Sequence, residues 1–183
     1  MASIDLKDAY FLIPIYNSHR KYLKFDLNGI LYEFNCLPFG LSTAPYLFTK
    51  LLKPVVEYFR LNNIITVIYL DDLLLFGNSY AESNKNIVFI KNVFENLGLL
   101  IKYEKSCLVP STKCKFLGFI FDSVNMRLEL PDDKRLKIYN LLMKFMSTIN
   151  CNLREYAKFL GTLISICPAI ELFMVIHKTV RTF

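Results

Sequence analysis

Two adjacent carboxylates, Asp71 and Asp72, stand in the run "IYLDDLLLF" at residues 68–76, where every neighbour is aliphatic or aromatic. An ionised carboxylate in such surroundings is strongly disfavoured unless it is neutralised, paired or bound to a cation. A third carboxylate, Asp5 in "SIDLKDAYF", ends another short apolar strand. Hard oxygen ligands from two neighbouring strands are what Mg²⁺ requires, and two such ions about 3.5–4 Å apart can hold the attacking and leaving oxygens of a phosphoryl transfer. Bound cations would then supply the missing compensation. The bland counterpart is a pair of carboxylates capping a solvated turn.

The elements must bring these groups together. In a straight strand Asp71 and Asp72 point to opposite faces and cannot act jointly, whereas at a hairpin tip they can. Asp-Asp is a poorer two-residue turn than Asn-Gly or Asp-Gly, and a local choice that conflicts with turn chemistry tends to mark a functional site. "SIDLKDAYFLIPI" begins as an alternating strand, with Ile4 and Leu6 opposing Asp5 and Lys7. "YLKFDLNGILYEF" reads as a hairpin turning at Asn28-Gly29. A helix is expected from Ser42 to about Arg60, with Pro45 in its first turn and Leu47, Phe48, Leu51 and Leu52 at helical spacing. Residues 64–76 read as two buried strands and residues 82–97 as an amphipathic helix closed by Gly98. "CKFLGFIFD" returns to strand character, and two helices follow Pro131. This order implies an α+β fold, an antiparallel sheet with helices on one face.

Composition sets the outer bounds. The chain has 183 residues and a hydrophobic fraction of 54%, enough to bury a core and too apolar for a disordered segment. Lys and Arg total 22 against 16 Asp and Glu, a formal charge of +6 that admits a polyanionic partner. Cys36, Cys107, Cys114, Cys151 and Cys167 show no C-x-x-C spacing, and His19 and His177 are far from them in sequence, so neither a zinc cluster nor a disulfide framework is indicated. Reduced, intracellular cysteines in cytoplasm or nucleus are expected. Charged residues near the N-terminus argue against a signal peptide. The apolar stretch 159–176 is interrupted by Pro168 and Glu171, and a core helix ending near the proline is expected there rather than a membrane span.

"SIDLKDAYFLIPI", "LPFGLSTAPYLFTK", "IYLDDLLLF", "GLLIKYEKSCL" and "CKFLGFIFD", in that order, resemble the successive palm motifs of reverse transcriptases. The likeness points to retrotransposons, with a leaning toward the DIRS-like group in "HRKYLKF" and "LPFGLSTAP". A lone Tyr-x-Asp-Asp is weak, but five ordered motifs over nearly the whole chain are specific. The resemblance implies a palm over residues 1–122 and the helices of a partial thumb over 123–183.

It also implies roles. Asp5 and Asp71 would be the main ligands of Mg²⁺, with Mn²⁺ as the alternative ion, Asp72 the third acidic residue, and the Leu6 carbonyl a further ligand. The deoxynucleotide would lie against Leu6, Asp8, Ala9 and Tyr10 and against Phe39 and Gly40. Tyr10 would be the steric gate beneath the sugar, its bland counterpart being a core tyrosine. Many retroviral relatives carry glutamine where Phe39 stands, so an apolar contact replaces a hydrogen bond. Lys105 resembles the lysine that protonates departing pyrophosphate, or is simply solvated. Leu117 and Gly118 resemble the primer grip. Gly161 and Ser165, at i and i+4, would let either a nucleic-acid backbone or another helix approach closely.

The function implied is RNA-directed DNA polymerisation, a nucleotidyl transfer onto a DNA primer over an RNA or DNA template with deoxynucleoside triphosphates as substrates, inside a retroelement polyprotein and away from membranes. Only Met1 to Ile4 precede Asp5, where reverse transcriptases carry fingers, and no RNase H-like segment follows Phe183. The chain therefore reads as a fragment truncated at its N-terminus, expected to extend primers weakly or not at all. The alternative is a catalytically inactive remnant that folds and binds nucleic acid. An RNA-templated RNA polymerase is disfavoured, since Tyr10 would obstruct a ribose 2′-hydroxyl.

Overall fold

Alternation makes Ala2–Lys7 a strand, β1, with Ala2, Ile4 and Leu6 buried on one face and Asp5 and Lys7 on the other. In the computed structural model of the chain, residues 1–147 and 151–170 are described, so Glu171, the rest of the apolar stretch to residue 176 and His177 lie outside the described residues. The chain divides into two units, Met1–Ser111 and Thr112–Phe183.

In the first unit, β1 is followed by a 3₁₀ turn at Ala9–Leu12, a one-turn helix α1 (Asn17–Arg20), the hairpin β2 (Lys24–Leu27) and β3 (Ile30–Glu33), and helix α2 (Ala44–Leu61). Next come β4 (Thr66–Tyr69), β5 (Asp72–Leu75), α3 (Tyr80–Asn96) and a two-residue strand, β6 (Leu100–Ile101). The sheet order is β4-β5-β1-β6, antiparallel throughout. Phe48, Leu52 and Phe59 from α2 and Ile87, Ile90 and Phe94 from α3 pack on Ala2, Ile4, Leu6, Leu73 and Leu75. Full burial of such side chains contributes roughly 1.5–3 kcal/mol each. Both helices cover one face, as the sequence implies, and Asp5 and Asp72 fall on the other.

The helix limits follow from local chemistry. Pro45 needs no amide partner in the first turn of α2, and Asn62 ends it. α3 begins two residues earlier than periodicity suggests, because the Ser79 hydroxyl accepts from the Glu82 amide at 3.1 Å, and Gly98 closes it at φ 76°.

The second unit holds a three-stranded antiparallel sheet, β7 (Lys113–Phe116), β8 (Phe119–Asp122) and β9 (Arg127–Glu129), then α4 (Asp132–Ser147) and α5 (Leu153–Ile166). α5 ends in a 3₁₀ turn containing Pro168. The part beyond residue 122 is thus not purely helical. The division after Ser111, rather than after Asp122, has the same cause: β8 pairs with β9 as well as β7, which draws the whole "CKFLGFIFD" hairpin into this unit. Among the described residues no helix is long and apolar enough to cross a membrane. Among the described residues no disulfide joins the cysteines.

Candidate active site

β1 and β5 pair so that Asp5 stands opposite Asp72, and β5 pairs with β4 so that Asp72 also faces Tyr69 across the two-residue turn Leu70–Asp71. Residues directly opposite in an antiparallel pair have Cβ atoms about 4.5–5.5 Å apart and share a face. Asp71 sits at the tip, and its carbonyl accepts from the Leu6 amide at 2.8 Å, tying the turn to the end of β1. Leu70 has a φ of 55°, in the left-handed region that costs a side chain roughly 1–2 kcal/mol. The turn is therefore Leu70–Asp71 rather than the Asp71–Asp72 expected from sequence, because Asp72 is already paired in β5, and its strain falls on Leu70.

The carboxylates act on one another. Burial raises the Asp5 pKa, Asp71 raises it further, and Lys105 and Lys102 oppose the shift. Burial, then Asp71, then Asp5 raise that of Asp72, with Lys105 opposing. The Tyr10 hydroxyl is pushed up by burial and by Asp71 and Tyr69. Three acidic groups thus share one field, offset only in part by lysines. Hard oxygen donors under mutual repulsion suit a divalent cation in kind. They are not a finished cage: among the described residues no three His, Cys, Asp or Glu side chains converge closely enough to hold an ion. Asp71 leaves from a turn, while Asp5 and Asp72 leave from paired strands.

Around this end of the sheet lie the other expected residues of the first unit. Asp8 is exposed at φ 50° and opens the 3₁₀ turn, Ala9 is buried and Tyr10 half-buried. The Tyr10 ring is 5.2 Å from that of Phe39 and 5.2 Å, edge-on, from that of Phe48. It belongs to the core edge and also feels Asp71. Phe39 remains 60% exposed. Gly40 has a φ of 88°, with nothing within 4 Å of the place a Cβ would take, so backbone conformation rather than crowding demands glycine.

Lys105 is exposed on the loop after β6, and its charge reaches both Asp5 and Asp72. Sequence reasoning missed Lys102 as a second cation acting on Asp5, and missed Ser106, whose Oγ accepts from the Asp5 amide at 3.0 Å. The register that sets Ser106 beside Asp5 comes from a strand too short to leave a periodic signal.

In the second unit, Leu117 and Gly118 form a hairpin turn with φ values of 48° and 75° between Phe116 and Phe119. Lys134 Nζ donates to the Gly118 carbonyl at 3.4 Å and lies 4.3 Å from the Phe119 ring centre. Gly161 and Ser165 are exposed on α5, and a Cβ at Gly161 would meet nothing within 4 Å, so no described helix uses that face for close packing.

An antiparallel sheet backed by two helices, with Asp71 on a turn beside the paired carboxylates Asp5 and Asp72, defines a polymerase palm. The chain belongs to the reverse transcriptase (RNA-dependent DNA polymerase) family, whose profile matches residues 1–121. It is 28% identical over 116 residues to the Transposon Tf2-3 polyprotein of Schizosaccharomyces pombe, covering 63% of this chain and 8% of that one. To Protein P of duck hepatitis B virus it is 28% identical over 138 residues, covering 74% and 17%. The foamy viral protease-reverse transcriptase solved with an RNA/DNA hybrid superposes with a TM-score of 0.71 at 25% identity, covering 90% of this chain and 21% of that one. The dRH form with double-stranded DNA gives 0.78 at 23%, covering 99% and 30%. The chain spans under a fifth of the length of these curated relatives.

Proposed function

We propose that the chain is the palm portion of an RNA-directed DNA polymerase within a retroelement polyprotein, adding deoxynucleotides to the 3′ end of a DNA primer on an RNA or DNA template. The observation that carries this is the pairing of Asp5 with Asp72 beside Asp71 on a strained turn, inside the region the family profile matches. Asp5, Asp71, Asp72 and the Leu6 carbonyl would hold divalent metal, Mg²⁺ or Mn²⁺, which when bound offsets charge on the attacking and leaving oxygens.

The remaining chemistry belongs to the chain. Tyr10, wedged between Phe39 and Phe48, has little freedom to retreat from a ribose 2′-hydroxyl, which supports its role as the gate. The Asp8–Tyr10 backbone and the open Gly40 loop offer the nucleotide close approach. Lys105 stands within electrostatic reach of Asp5 and Asp72, where departing pyrophosphate would need a proton donor. Leu117 and Gly118 would hold the primer backbone. Cysteines without C-x-x-C spacing and without a disulfide among the described residues support an intracellular setting. A DIRS-like origin rests on "HRKYLKF" and "LPFGLSTAP" alone.

The test is addition of a labelled deoxynucleotide to a primer-template by the 183-residue chain with Mg²⁺ or Mn²⁺, beside Asp71→Asn. Slow, chelator-sensitive addition by the wild type and none by Asp71→Asn is expected. No addition above the Asp71→Asn background, with primer-template still bound and none gained when the rest of a polymerase chain is supplied in trans, would favour the second reading, a folded remnant.

A further inference from the structure

β6 runs beside β1 for two paired residues, Leu6 with Ile101 and Lys7 with Leu100. The next pair in that register is Asp5 with Lys102. One of its rungs is ordinary: the Lys102 amide donates to the Asp5 carbonyl at 2.8 Å. The other rung is relayed. The Asp5 amide donates to Ser106 Oγ at 3.0 Å, and the same hydroxyl donates to the Lys102 carbonyl at 2.8 Å. One hydroxyl therefore spans the gap that a direct amide-to-carbonyl bond fills elsewhere in the ladder.

The relay exists because the chain leaves the sheet at this level. Tyr103, Glu104 and Lys105 form a tight loop, closed by the Lys105 and Ser106 amides on the Lys102 carbonyl at 3.2 and 3.0 Å. Pairing resumes where Cys107 and Ser3 exchange backbone hydrogen bonds at 3.0 and 2.9 Å. Lys102 and Lys105, the two cations whose charge reaches Asp5, thus stand at either end of an excursion that Ser106 fastens to the Asp5 backbone.

We propose that Ser106 is a positioning residue: its hydroxyl latches the Lys105 loop to the Asp5 strand and so sets how near the lysine charge stands to the acidic site. The functional meaning rests on the polymerase reading of Asp5. Threonine keeps the hydroxyl, whereas cysteine keeps the size but is a weak donor and acceptor. Without the latch the loop is held only by its backbone hydrogen bonds, the Lys105 side chain stands farther from the acids on average, and a divalent cation held there meets less repulsion. Loss of the hydroxyl therefore tightens cation binding, opposite to what general damage to the site does.

The experiment uses the 183-residue chain as wild type, Ser106→Cys, Ser106→Ala and Ser106→Thr, each also combined with Lys105→Ala. Hydrogen exchange of the Asp5 amide is followed by NMR, and Mn²⁺ affinity by titration. In Ser106→Cys the Asp5 amide exchanges about fivefold to tenfold faster, the factor set by one lost hydrogen bond, while Ser106→Thr matches the wild type. Mn²⁺ binds roughly threefold more tightly to Ser106→Cys, as expected for one charge withdrawn by several ångströms through solvent-like dielectric, and the gain vanishes in the Lys105→Ala background. Unchanged exchange in Ser106→Cys, weaker or equal Mn²⁺ binding, or a gain that survives Lys105→Ala would overturn the proposal. If Ser106→Ala fails to fold, the Cys and Thr variants decide. If the wild type binds no Mn²⁺, the polymerase reading fails, and the exchange rates alone decide the latch: faster in Cys and not in Thr upholds it, equal rates overturn it.

Discussion

Ionising Asp72 is opposed first by its burial and then by Asp71 and Asp5. Its folded-state pKa lies above its unfolded one, so the folded chain holds the proton more tightly. The ionised group then weakens the fold at every pH above the raised value, and the cost is relieved as pH falls through it toward the ordinary carboxylate range. Asp72→Asn should therefore raise stability at neutral pH by about 0.5–1 kcal/mol, within the gain usual for relieving unfavourable charge. The gain should fade below about pH 4. Thermal melts of both proteins across that range check this, and an equal or lower melting temperature for the variant at neutral pH would contradict it. Tyr10 poses a different trade. Tyr10→Ala removes a ring packed on Phe39 and Phe48 and should cost about 1–2 kcal/mol, while raising ribonucleotide over deoxynucleotide incorporation. Tyr10→Phe keeps the ring and should keep the ratio. An unchanged ratio in Tyr10→Ala would leave Tyr10 as a core tyrosine only.

Three two-residue hairpin turns show how element and function compete. Asn28-Gly29, which carries no proposed role, has φ values of 55° and 79° and the residues that this geometry favours. Leu117-Gly118 adopts nearly the same conformation with a leucine at φ 48°, and the Asp71 turn places Leu70 at 55°. Both turns with a proposed role thus tolerate strain that the third avoids. Leu117→Asn would restore the favoured pair and should stabilise the second unit by about 0.5–1 kcal/mol in denaturant melts, at the expense of any primer contact Leu117 makes. A destabilised variant would show that the Leu117 side chain packs usefully. The next turn, between β8 and β9, depends on Asp122. It accepts from the Val124 and Asn125 amides and the Asn125 side chain, each at 3.0 Å, and pairs with Lys113 at 3.1 Å. Those bonds, the Asn125 side chain foremost, hold its carboxyl well below the usual range. A depressed folded pKa gives stability that is present above the unfolded value and lost as pH falls through the folded one. Asp122→Ala should therefore destabilise at neutral pH and differ progressively less from wild type in acid below about pH 4, and a deficit that persists unchanged there would point to packing instead. The long elements were legible because periodicity, Asn28-Gly29, Pro45 and Gly98 mark them locally. β6 and β9 were not, since two or three residues carry no periodic signal and exist only through their partners. Asp5, Asp71 and Asp72 stood out as charge in apolar surroundings, whereas Ser106 is an ordinary serine until register sets it beside Asp5.

At the scale of the whole chain, the β2–β3 hairpin presents an unusual surface. Its register puts Phe25, Leu27, Ile30 and Tyr32 on one face, with Phe25 and Tyr32 stacked at 5.6 Å, yet all four residues are exposed, Ile30 at 58%. A two-stranded hairpin is marginal in water unless its apolar face is covered. The β4 edge adds Ile65, Val67 and Tyr69, all exposed. A net charge of +6 opposes contact between copies, and salt screens that repulsion while leaving apolar burial intact. The isolated 183-residue chain should therefore self-associate, more so at high salt than at low, with weight-average mass rising with concentration in sedimentation velocity. Ile30→Lys puts a charge at the centre of the apolar face and should return the chain to monomer without lowering its melting temperature, since Ile30 contributes nothing to the buried core cluster. A wild-type chain that stays monomeric at every salt and concentration would show that the hairpin face is covered by the chain itself. Association that survives Ile30→Lys but yields to Val67→Lys would move the contact to the β4 edge, where strands of two copies can pair through their unused backbone groups.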